Sequence, residues 1–233
     1  MNKNIVWIIL VSCVLLIQGC TYENSDSKEG KNMASLDQQL LSAAEAKDKE
    51  SIEKLIQQGA NVQVQDQDGR TPLMIATYNH DVQSAQKLIE AGADVNIQDH
   101  MLNSPFLYAG AEGYLDILKL TIQAGADPTI TNRYGGTALI PASEHGYVEV
   151  VRELLTQTSI DVNHVNRLGW TALLEAIILN DGNERQQETI ELLIHHGADV
   201  NLADGDGVSP LRHARAKGFK EIEEILIRAG AKK

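Results

Sequence analysis

One short signal recurs five times along the chain at nearly constant intervals, and it constrains the fold more than any other feature. Each copy places a Thr or Ser directly before a run that begins with Pro or Ala; the copies read GRTPL, LNSPF, GGTAL, GWTAL and GVSPL. The hydroxyl residues are 33, 33, 34 and 38 positions apart; they are Thr71, Ser104, Thr137, Thr171 and Ser209. A period of this length indicates a repeat architecture, in which each unit packs mainly on its neighbours.

A second signal, built around Gly-Ala, lies in phase with the first; its copies read QGANV, AGADV, AGADP, HGADV and AGAKK. Within one unit, Thr71 can cap a first helix whose first turn holds Pro72, where no amide hydrogen is needed. A second helix over residues 82–90 then ends at Gly92, which tolerates the positive φ of a helix C-terminus. Small side chains recur at one first-helix position, where close packing is expected; they are Ala76, Ala109, Ala142, Ala176 and Ala214.

These two phased signals resemble the ankyrin repeat, and the match covers nearly everything after residue 35. The resemblance implies an all-α fold, an ankyrin-repeat solenoid of five to six repeats in which helix-turn-helix units are joined by β-hairpin-like loops. The first repeat lacks the cap signal and begins with a predicted capping box of Ser35 and Gln38. The last repeat bears Arg212 at a position that is apolar in the inner repeats. Both are therefore predicted end caps. We expect the ankyrin-repeat domain at 36–233, with repeats at about 36–64, 65–97, 98–130, 131–164, 165–202 and 203–233.

The first 35 residues carry the features of export and membrane attachment. Lys3 precedes an apolar run at residues 5–17, which is short for a bilayer span of roughly 20 residues. The run ends in Ile-Gln-Gly-Cys, which resembles a bacterial lipobox, so we expect a signal peptide at 1–19 and lipidation of Cys20; the alternative is an ordinary secretory signal or an uncleaved anchor. Residues 20–35 are then the lipidated cysteine and a flexible polar tether, and the protein faces the periplasm or the cell exterior.

The charge and the distribution of reactive side chains argue against several functions. The 32 acidic and 20 basic residues give a net charge of −12, which disfavours a nucleic-acid partner because no basic stripe could hold phosphates. The seven histidines are spread over five repeats without metal-ligand spacing, and no glycine-rich phosphate loop or nucleophile motif is present. We therefore expect no catalytic residues, no cofactor and no metal, and we predict a monomer that is not an enzyme.

One first-helix position departs from the expected apolar pattern in three repeats. The position holds Ile75 in the second repeat but Glu175 in the fifth and His213 in the sixth, and Pro141 in the fourth predicts a locally irregular helix. An unpaired buried carboxylate is costly, so Glu175 and His213 either pair across adjacent repeats or each reach a loop backbone or water. The fifth repeat also carries an insertion after Leu179, which predicts an enlarged turn between its helices.

The resemblance also implies where a partner binds, because hairpin tips and the exposed sides of the first helices line the concave surface of an ankyrin stack. Tyr, Trp and Arg, the residue types enriched in binding hot spots, cluster at these positions although only 4% of the chain is aromatic. The predicted partner-binding residues are Arg70, Tyr78, His100, Met101, Arg133, Tyr134, Glu144, His145, Arg167 and Trp170.

These features together predict a non-catalytic protein–protein interaction module, anchored to the bacterial envelope through Cys20, that binds an unidentified protein through its concave surface. The alternative is an immunity-type inhibitor that covers the active site of a secreted toxin. An enzyme would need a deep pocket with converging titratable groups, which a solenoid groove rarely offers. The stretches NRYGGTALIPASEHG and GWTALLEAIILNDG are similar to those of a small family of bacterial ankyrin proteins without an established biochemical activity.

Overall fold

Twelve α-helices make up most of residues 25–232, the part of the chain that the computed structural model describes. The helices form six consecutive pairs, and no residue in this range belongs to a strand. The pairs are α1 (Ser25–Glu45) with α2 (Lys49–Gln57), α3 (Pro72–Tyr78) with α4 (Val82–Glu90), α5 (Pro105–Glu112) with α6 (Leu115–Gln123), α7 (Leu139–Glu144) with α8 (Val148–Gln157), α9 (Ala172–Ile178) with α10 (Glu184–His195), and α11 (Pro210–Lys217) with α12 (Lys220–Arg228). The predicted all-α solenoid is therefore confirmed.

The core runs continuously from one repeat to the next. Each first helix packs on its own second helix and on the first helix of the following pair. The alanine that recurs in the first helices is fully buried in every capped repeat, and the residue two positions after each cap is at most 1% exposed; these residues are Leu73, Phe106, Leu139, Leu173 and Leu211. Each such side chain contributes about 1.5–3 kcal/mol by leaving water, and it does so only when its neighbouring repeat is in place.

Four of the five predicted cap residues work as expected, and Thr137 differs. The hydroxyl of Thr71, for example, accepts a hydrogen bond from the Met74 amide at 3.1 Å. In the fourth repeat the helix begins only at Leu139, and the Thr137 hydroxyl has no hydrogen-bond partner. The cause is Pro141, because proline has no amide hydrogen to donate to the Thr137 carbonyl, whereas the equivalent residues of the other capped repeats make this bond. The predicted irregular helix is confirmed.

The structure differs from the sequence prediction at the N-terminal end of the described chain. Helix α1 begins at Ser25, so residues 25–35 are helical where a flexible tether was expected. Ser35 consequently lies inside the helix and is not a capping residue; its hydroxyl and carbonyl accept hydrogen bonds from the side chain of Gln39 rather than pairing with Gln38. The physical reason is that α1 is nucleated by its packed part, around the buried Leu40, and extending an existing helix costs far less than starting one.

The predicted signal peptide at residues 1–19 and the predicted lipidation site, Cys20, lie outside the described residues. Between residues 25 and 232, none of the helices combines the length and the apolar character that a membrane span requires.

The insertion in the fifth repeat changes both a turn and a helix. Helix α10 has 12 residues, whereas α4 has nine, so part of the insertion extends the second helix. Asn183 caps this helix by accepting a hydrogen bond from the Gln186 amide at 3.2 Å. The insertion thus lengthens the turn, as predicted from the sequence, and also the second helix.

Candidate binding surface

Each hairpin between repeats is organised by one Asp or Asn side chain that lies five residues before the cap. In the fifth repeat, Oδ1 of Asn166 accepts hydrogen bonds from the amides of Leu168 and Trp170, at 2.9 and 3.0 Å. The same pair of bonds is made in the other hairpins by Asp66, Asp99, Asn132 and Asp204. Two neighbouring pairs of hairpins are also joined at their tips: the His100 amide donates to the Asp68 carbonyl and the Arg167 amide to the Tyr134 carbonyl, both at 2.9 Å. These bonds fix the shape of each tip and the register within those two pairs.

The central residue of each tip is apolar in the three middle hairpins and acidic at both ends of the row. Met101, Tyr134 and Leu168 are 49%, 53% and 59% exposed. The equivalent residues of the second and sixth repeats are Asp68 and Asp206. Adjacent large apolar side chains that remain exposed mark interaction sites more often than scattered ones do. Met101, Tyr134 and Leu168 are called the tip row below.

Two arginines are packed beside the tip row. The guanidinium carbon of Arg133 lies 4.8 Å from the centroid of the Tyr134 ring, and its Nη1 lies 3.7 Å from Sδ of Met101. Arg167 donates from Nη1 to the carbonyl of Arg133 at 2.8 Å. A cation over an aromatic face contributes about 0.5–1 kcal/mol at an exposed site, so these contacts favour one arrangement of the tip side chains.

A cavity of about 500 Å³ opens beside the tip row, between the hairpins and the first helices of the third to fifth repeats. Its volume lies within the range of roughly 300–1,000 Å³ that is usual for ligand pockets. Leu168 belongs to both the tip row and the cavity, so the two form one continuous surface. This central cavity is lined by apolar and acidic side chains, among them Tyr108, Glu112, Pro141, Glu144, Glu175 and Leu179.

Glu175 and His213 do not pair with each other; each binds a side chain of the hairpin that precedes it. Nδ2 of Asn166 donates to Oε1 of Glu175 at 2.7 Å. In the sixth repeat, Nε2 of His213 lies 2.7 Å from Oδ2 of Asp204. Of the two alternatives left open by the sequence, the pair across repeats is wrong, and each residue instead reaches a loop, through a loop side chain. Asn166 and Asp204 lie nine positions before their partners and belong to the same repeats as those partners. Because each lies beside the first helix of its own repeat, Glu175 and His213 contact these hairpin residues rather than the neighbouring repeat.

The carboxyl group of Glu175 is the most perturbed acid of the central cavity. Only 6% of the residue is exposed. The pKa of Glu175 is raised from 4.5 to about 7, mainly by burial and also by the negative charge of Glu144, while the hydrogen bond from Asn166 partly opposes both effects. Glu175 is therefore divided between its protonated and ionised forms near neutral pH.

A second, smaller cavity of about 280 Å³ includes four predicted partner-binding residues, Arg70, Tyr78, His100 and Met101. Arg70 forms ion pairs with Asp66 at 2.6 Å and with Glu45 at 2.8 Å. The hydroxyl of Tyr78 donates a hydrogen bond to Asp99, and burial together with this bond raises the pKa of Tyr78 to about 12. Arg70 and Tyr78 thus already hold contacts within the protein.

Comparison with known proteins identifies the family. A family model described as ankyrin repeats (3 copies) matches residues 12–99, 40–132 and 106–204. The chain belongs to the ankyrin-repeat family. The crystal structure of an ankyrin repeat domain from Acinetobacter baumannii is 53% identical, superimposes with a TM-score of 0.81, and aligns with 83% of this chain and 98% of that domain.

Two curated bacterial proteins are similar over shorter regions of this ankyrin-repeat chain. The putative ankyrin repeat protein YahD of Escherichia coli (strain K12) is 54% identical over 82 residues, which are 35% of this chain and 41% of YahD. A putative ankyrin repeat protein of Rickettsia felis is 33% identical over 79 residues, or 34% of this chain and 20% of the relative. The matched region therefore spans less than half of either relative. The ankyrin repeat domain of Bcl-3, at 24% identity, a TM-score of 0.74 and coverage of 83% and 86%, shares the fold alone.

The ankyrin stack separates the remaining predicted residues into different environments. Arg167 lies at the fifth tip and packs against Gly135 of the preceding hairpin. Gly135 has a φ of 73°, and a Cβ added to this glycine would come within 2.9 Å of the Arg167 side chain. Trp170 is half-buried and lines neither cavity. Four predicted residues do line the central cavity: Arg133, Tyr134, Glu144 and His145.

Several residues of this surface were not predicted as binding residues. Leu168 has the same tip position as Met101 and Tyr134, so alignment of the five hairpins could have identified it. Glu175 was recognised as unusual but was assigned to the core. Among residues 25–232, no three His, Cys, Asp or Glu side chains are grouped in a way that could hold a metal ion.

Proposed function

We propose that this ankyrin-repeat protein binds a partner protein with the tip row and the central cavity, and that it does so without catalysing a reaction. The observation that carries the proposal is the exposed row of Met101, Tyr134 and Leu168, which ends in an aspartate on either side. Tyrosine and arginine are the residue types that most often dominate binding energy, and both are present at the fourth tip. The ankyrin-repeat fold itself is typically a non-catalytic binding scaffold.

The order of the hairpins supports this proposal. Binding that immobilises loose side chains or loops loses free energy, about 0.5–1.5 kcal/mol for each flexible side chain. The hairpin tips are already fixed by their Asp or Asn side chains, and Arg133 and Arg167 are held by contacts at the tips. Binding of a partner would therefore lose little free energy in ordering this surface.

The proposal is tested by crosslinking in intact cells. The protein is compared with a Tyr134→Ala, Leu168→Ala variant, which should lose most of its crosslinked partner because two exposed anchors are removed. Ile227→Ala is the matched control, since Ile227 is an exposed apolar residue of α12, away from the hairpins. Equal recovery of the same partner with all three proteins would show that the tip row does not bind it. If the partner is a toxin encoded beside this gene, the inhibitor alternative is supported.

We also propose that Cys20 carries a lipid that anchors the protein to the bacterial envelope, with the repeats facing the periplasm or the cell exterior. The support is the sequence alone: a lysine at position 3, an apolar run at residues 5–17, and the cysteine that follows. Cells fed an alkyne analogue of palmitate should label the protein and its Cys13→Ala variant but not Cys20→Ala. A wild-type protein that takes up no label would refute the anchor.

A further inference from the structure

Glu175 is a buried carboxyl group with only half of its hydrogen-bonding capacity used. Its Oε1 accepts a bond from Asn166, whereas Oε2 has no hydrogen-bond partner among the residues that the structure describes. The equivalent position in the second repeat holds Ile75, which has no polar group to satisfy. Oε2 is not one of the fully buried unpaired atoms of the described residues, so it opens to the cavity that Glu175 lines. A carboxylate oxygen that faces a cavity and makes no bond within the protein can bind a ligand there.

The central cavity gives this carboxyl group an open approach of the right polarity. Glu175 and Glu144 both line the cavity, and Glu112 adds a third acid. Arg133 also lines it, with its guanidinium against the Tyr134 ring and no ion pair to an acid of the described residues. Three acids therefore stand against one arginine, and the two others outnumber it even when Glu175 is protonated.

Part of the wall of the same cavity is apolar. Tyr108, Pro141, Leu168 and Leu179 all line it. A ligand that fits must combine an apolar stem with a cationic end, because the stem would contact these walls while the end reaches the acids. A small inorganic cation has no such stem, and an uncharged apolar group would leave Oε2 of Glu175 unbonded.

We infer that the central cavity receives an arginine side chain of the partner protein, whose guanidinium binds Oε2 of Glu175 and the carboxylate of Glu144. The inference rests on the proposed function and names the chemistry of the partner group. Arginine fits better than lysine, because its planar guanidinium presents several donors to carboxylates and can stack on an aromatic ring such as Tyr108. Its charge also persists when water is excluded, because a guanidinium is not deprotonated in proteins.

Binding of arginine and ionisation of Glu175 should be coupled. The guanidinium binds the ionised carboxylate, so it must lower the pKa of Glu175 from about 7 and release protons near neutral pH. The helices packed against α9 contribute few competing charges: α7 contributes Glu144 and His145, the charged residues of α10 are exposed, and on α11 His213 is bound to Asp204. Glu112, Arg133 and His145 also line the cavity, so the coupling is assigned to Glu175 through its own carbon-13 signal in the experiment below.

The experiment is a titration of the full-length protein, in non-ionic detergent, followed by NMR of glutamate labelled with carbon-13 at Cδ. The probe is N-acetyl-L-arginine amide, and N-acetyl-L-citrulline amide is its uncharged control of nearly equal shape. The Glu175 signal, assigned with Glu175→Gln, should shift saturably with the arginine probe only, and its pKa should fall by about one unit, a tenfold preference for the ionised form. Glu175→Gln should bind the arginine probe at least tenfold more weakly, whereas Glu149→Gln, an exposed change on α8, should bind it normally.

Equal shifts with the arginine and citrulline probes, or unchanged arginine binding by Glu175→Gln, would overturn the inference. The two proposals can fail separately. If Tyr134→Ala, Leu168→Ala loses the crosslinked partner while Glu175→Gln keeps it, the arginine site is wrong and the binding surface stands. If the arginine probe binds as described but crosslinking does not depend on the tip row, the proposed function is wrong and the site stands.

Discussion

Replacement of Glu175 by glutamine removes a buried charge and keeps both the size of the side chain and the acceptor for Asn166. The pKa of Glu175 is raised from 4.5 to about 7, a difference of about 2.5 units. Each unit corresponds to about 1.4 kcal/mol, so ionisation costs the folded state about 3 kcal/mol. Because solvent in the central cavity screens part of this cost, we expect about 2–3 kcal/mol.

The cost depends on pH in a defined direction. Well below pH 4.5 the carboxyl group is protonated in both the folded and the unfolded protein, and it contributes no difference. Between pH 4.5 and 7 the unfolded chain loses this proton first, so the free energy of unfolding falls as the pH rises. Above pH 7 the full cost is present. Glu175→Gln should therefore leave stability nearly unchanged at pH 4.5 and raise the free energy of unfolding by about 2–3 kcal/mol at pH 8.5.

The assay is urea unfolding followed by circular dichroism, with both proteins measured at pH 4.5, 6, 7 and 8.5. Contributions of all other titrating groups cancel in the difference between the two proteins at each pH. Glu149→Gln is the matched control, because this glutamate on α8 is exposed and should show no such pH dependence. A difference between wild type and Glu175→Gln that is the same at pH 4.5 and 8.5 would refute the argument that the ionised carboxylate is destabilising.

Four further substitutions test the caps, a buried hydrogen bond and the packing of the stack by thermal unfolding, in which 1 kcal/mol corresponds to a change of about 2–4 °C in Tm. Thr71→Ala should lower the free energy of unfolding by about 1 kcal/mol because it removes a helix cap. Thr137→Ala should change it by less than about 0.5 kcal/mol because the Thr137 hydroxyl makes no hydrogen bond. Equal losses for the two variants would contradict this difference. Tyr78→Phe should cost about 1–2 kcal/mol, since the buried Asp99 loses a donor, and an unchanged Tm would show that the bond contributes nothing. Gly110→Ala should cost about 1–3 kcal/mol because the new methyl would lie 2.9 Å from a side chain of the next repeat; a higher Tm would show that the repeats can separate to admit it.

The fold could be predicted because its determinants are local and repeated. A hydroxyl that caps the amide three residues later, and a glycine that ends a helix, act within a few residues of chain. Even the exception at Thr137 follows from one local fact, the missing amide hydrogen of Pro141. The helical start of α1 could not be predicted this way, since residues 25–35 are polar and their helix depends on the packed segment that follows.

The contacts of Glu175 and His213 show where sequence reasoning stopped. Both were recognised as polar residues at a buried position, and two alternatives were left open: a pair across adjacent repeats, or contact of each with a loop backbone or water. The structure instead matches each with its own hairpin: an acid with the amide of Asn166, and an imidazole with the acid Asp204. Comparison of the hairpin position with the first-helix position of the same repeat, rather than of one position between repeats, would have revealed both complementary pairs.

The binding residues were predicted by position in part and by residue type in part, and the structure places them in different environments. Trp170 was chosen as a tryptophan at a variable position of the concave surface; it is half-buried and lines neither cavity. Leu168 was passed over, although it is 59% exposed and belongs to the tip row. Leu168 and Trp170 are only two positions apart, but the turn that Asn166 organises through both of their amides lies between them, so closeness along the chain does not give equal exposure. In a repeat protein the equivalent positions of the other units supply this information, and Met101 and Tyr134 already indicated which side of the fifth hairpin is exposed.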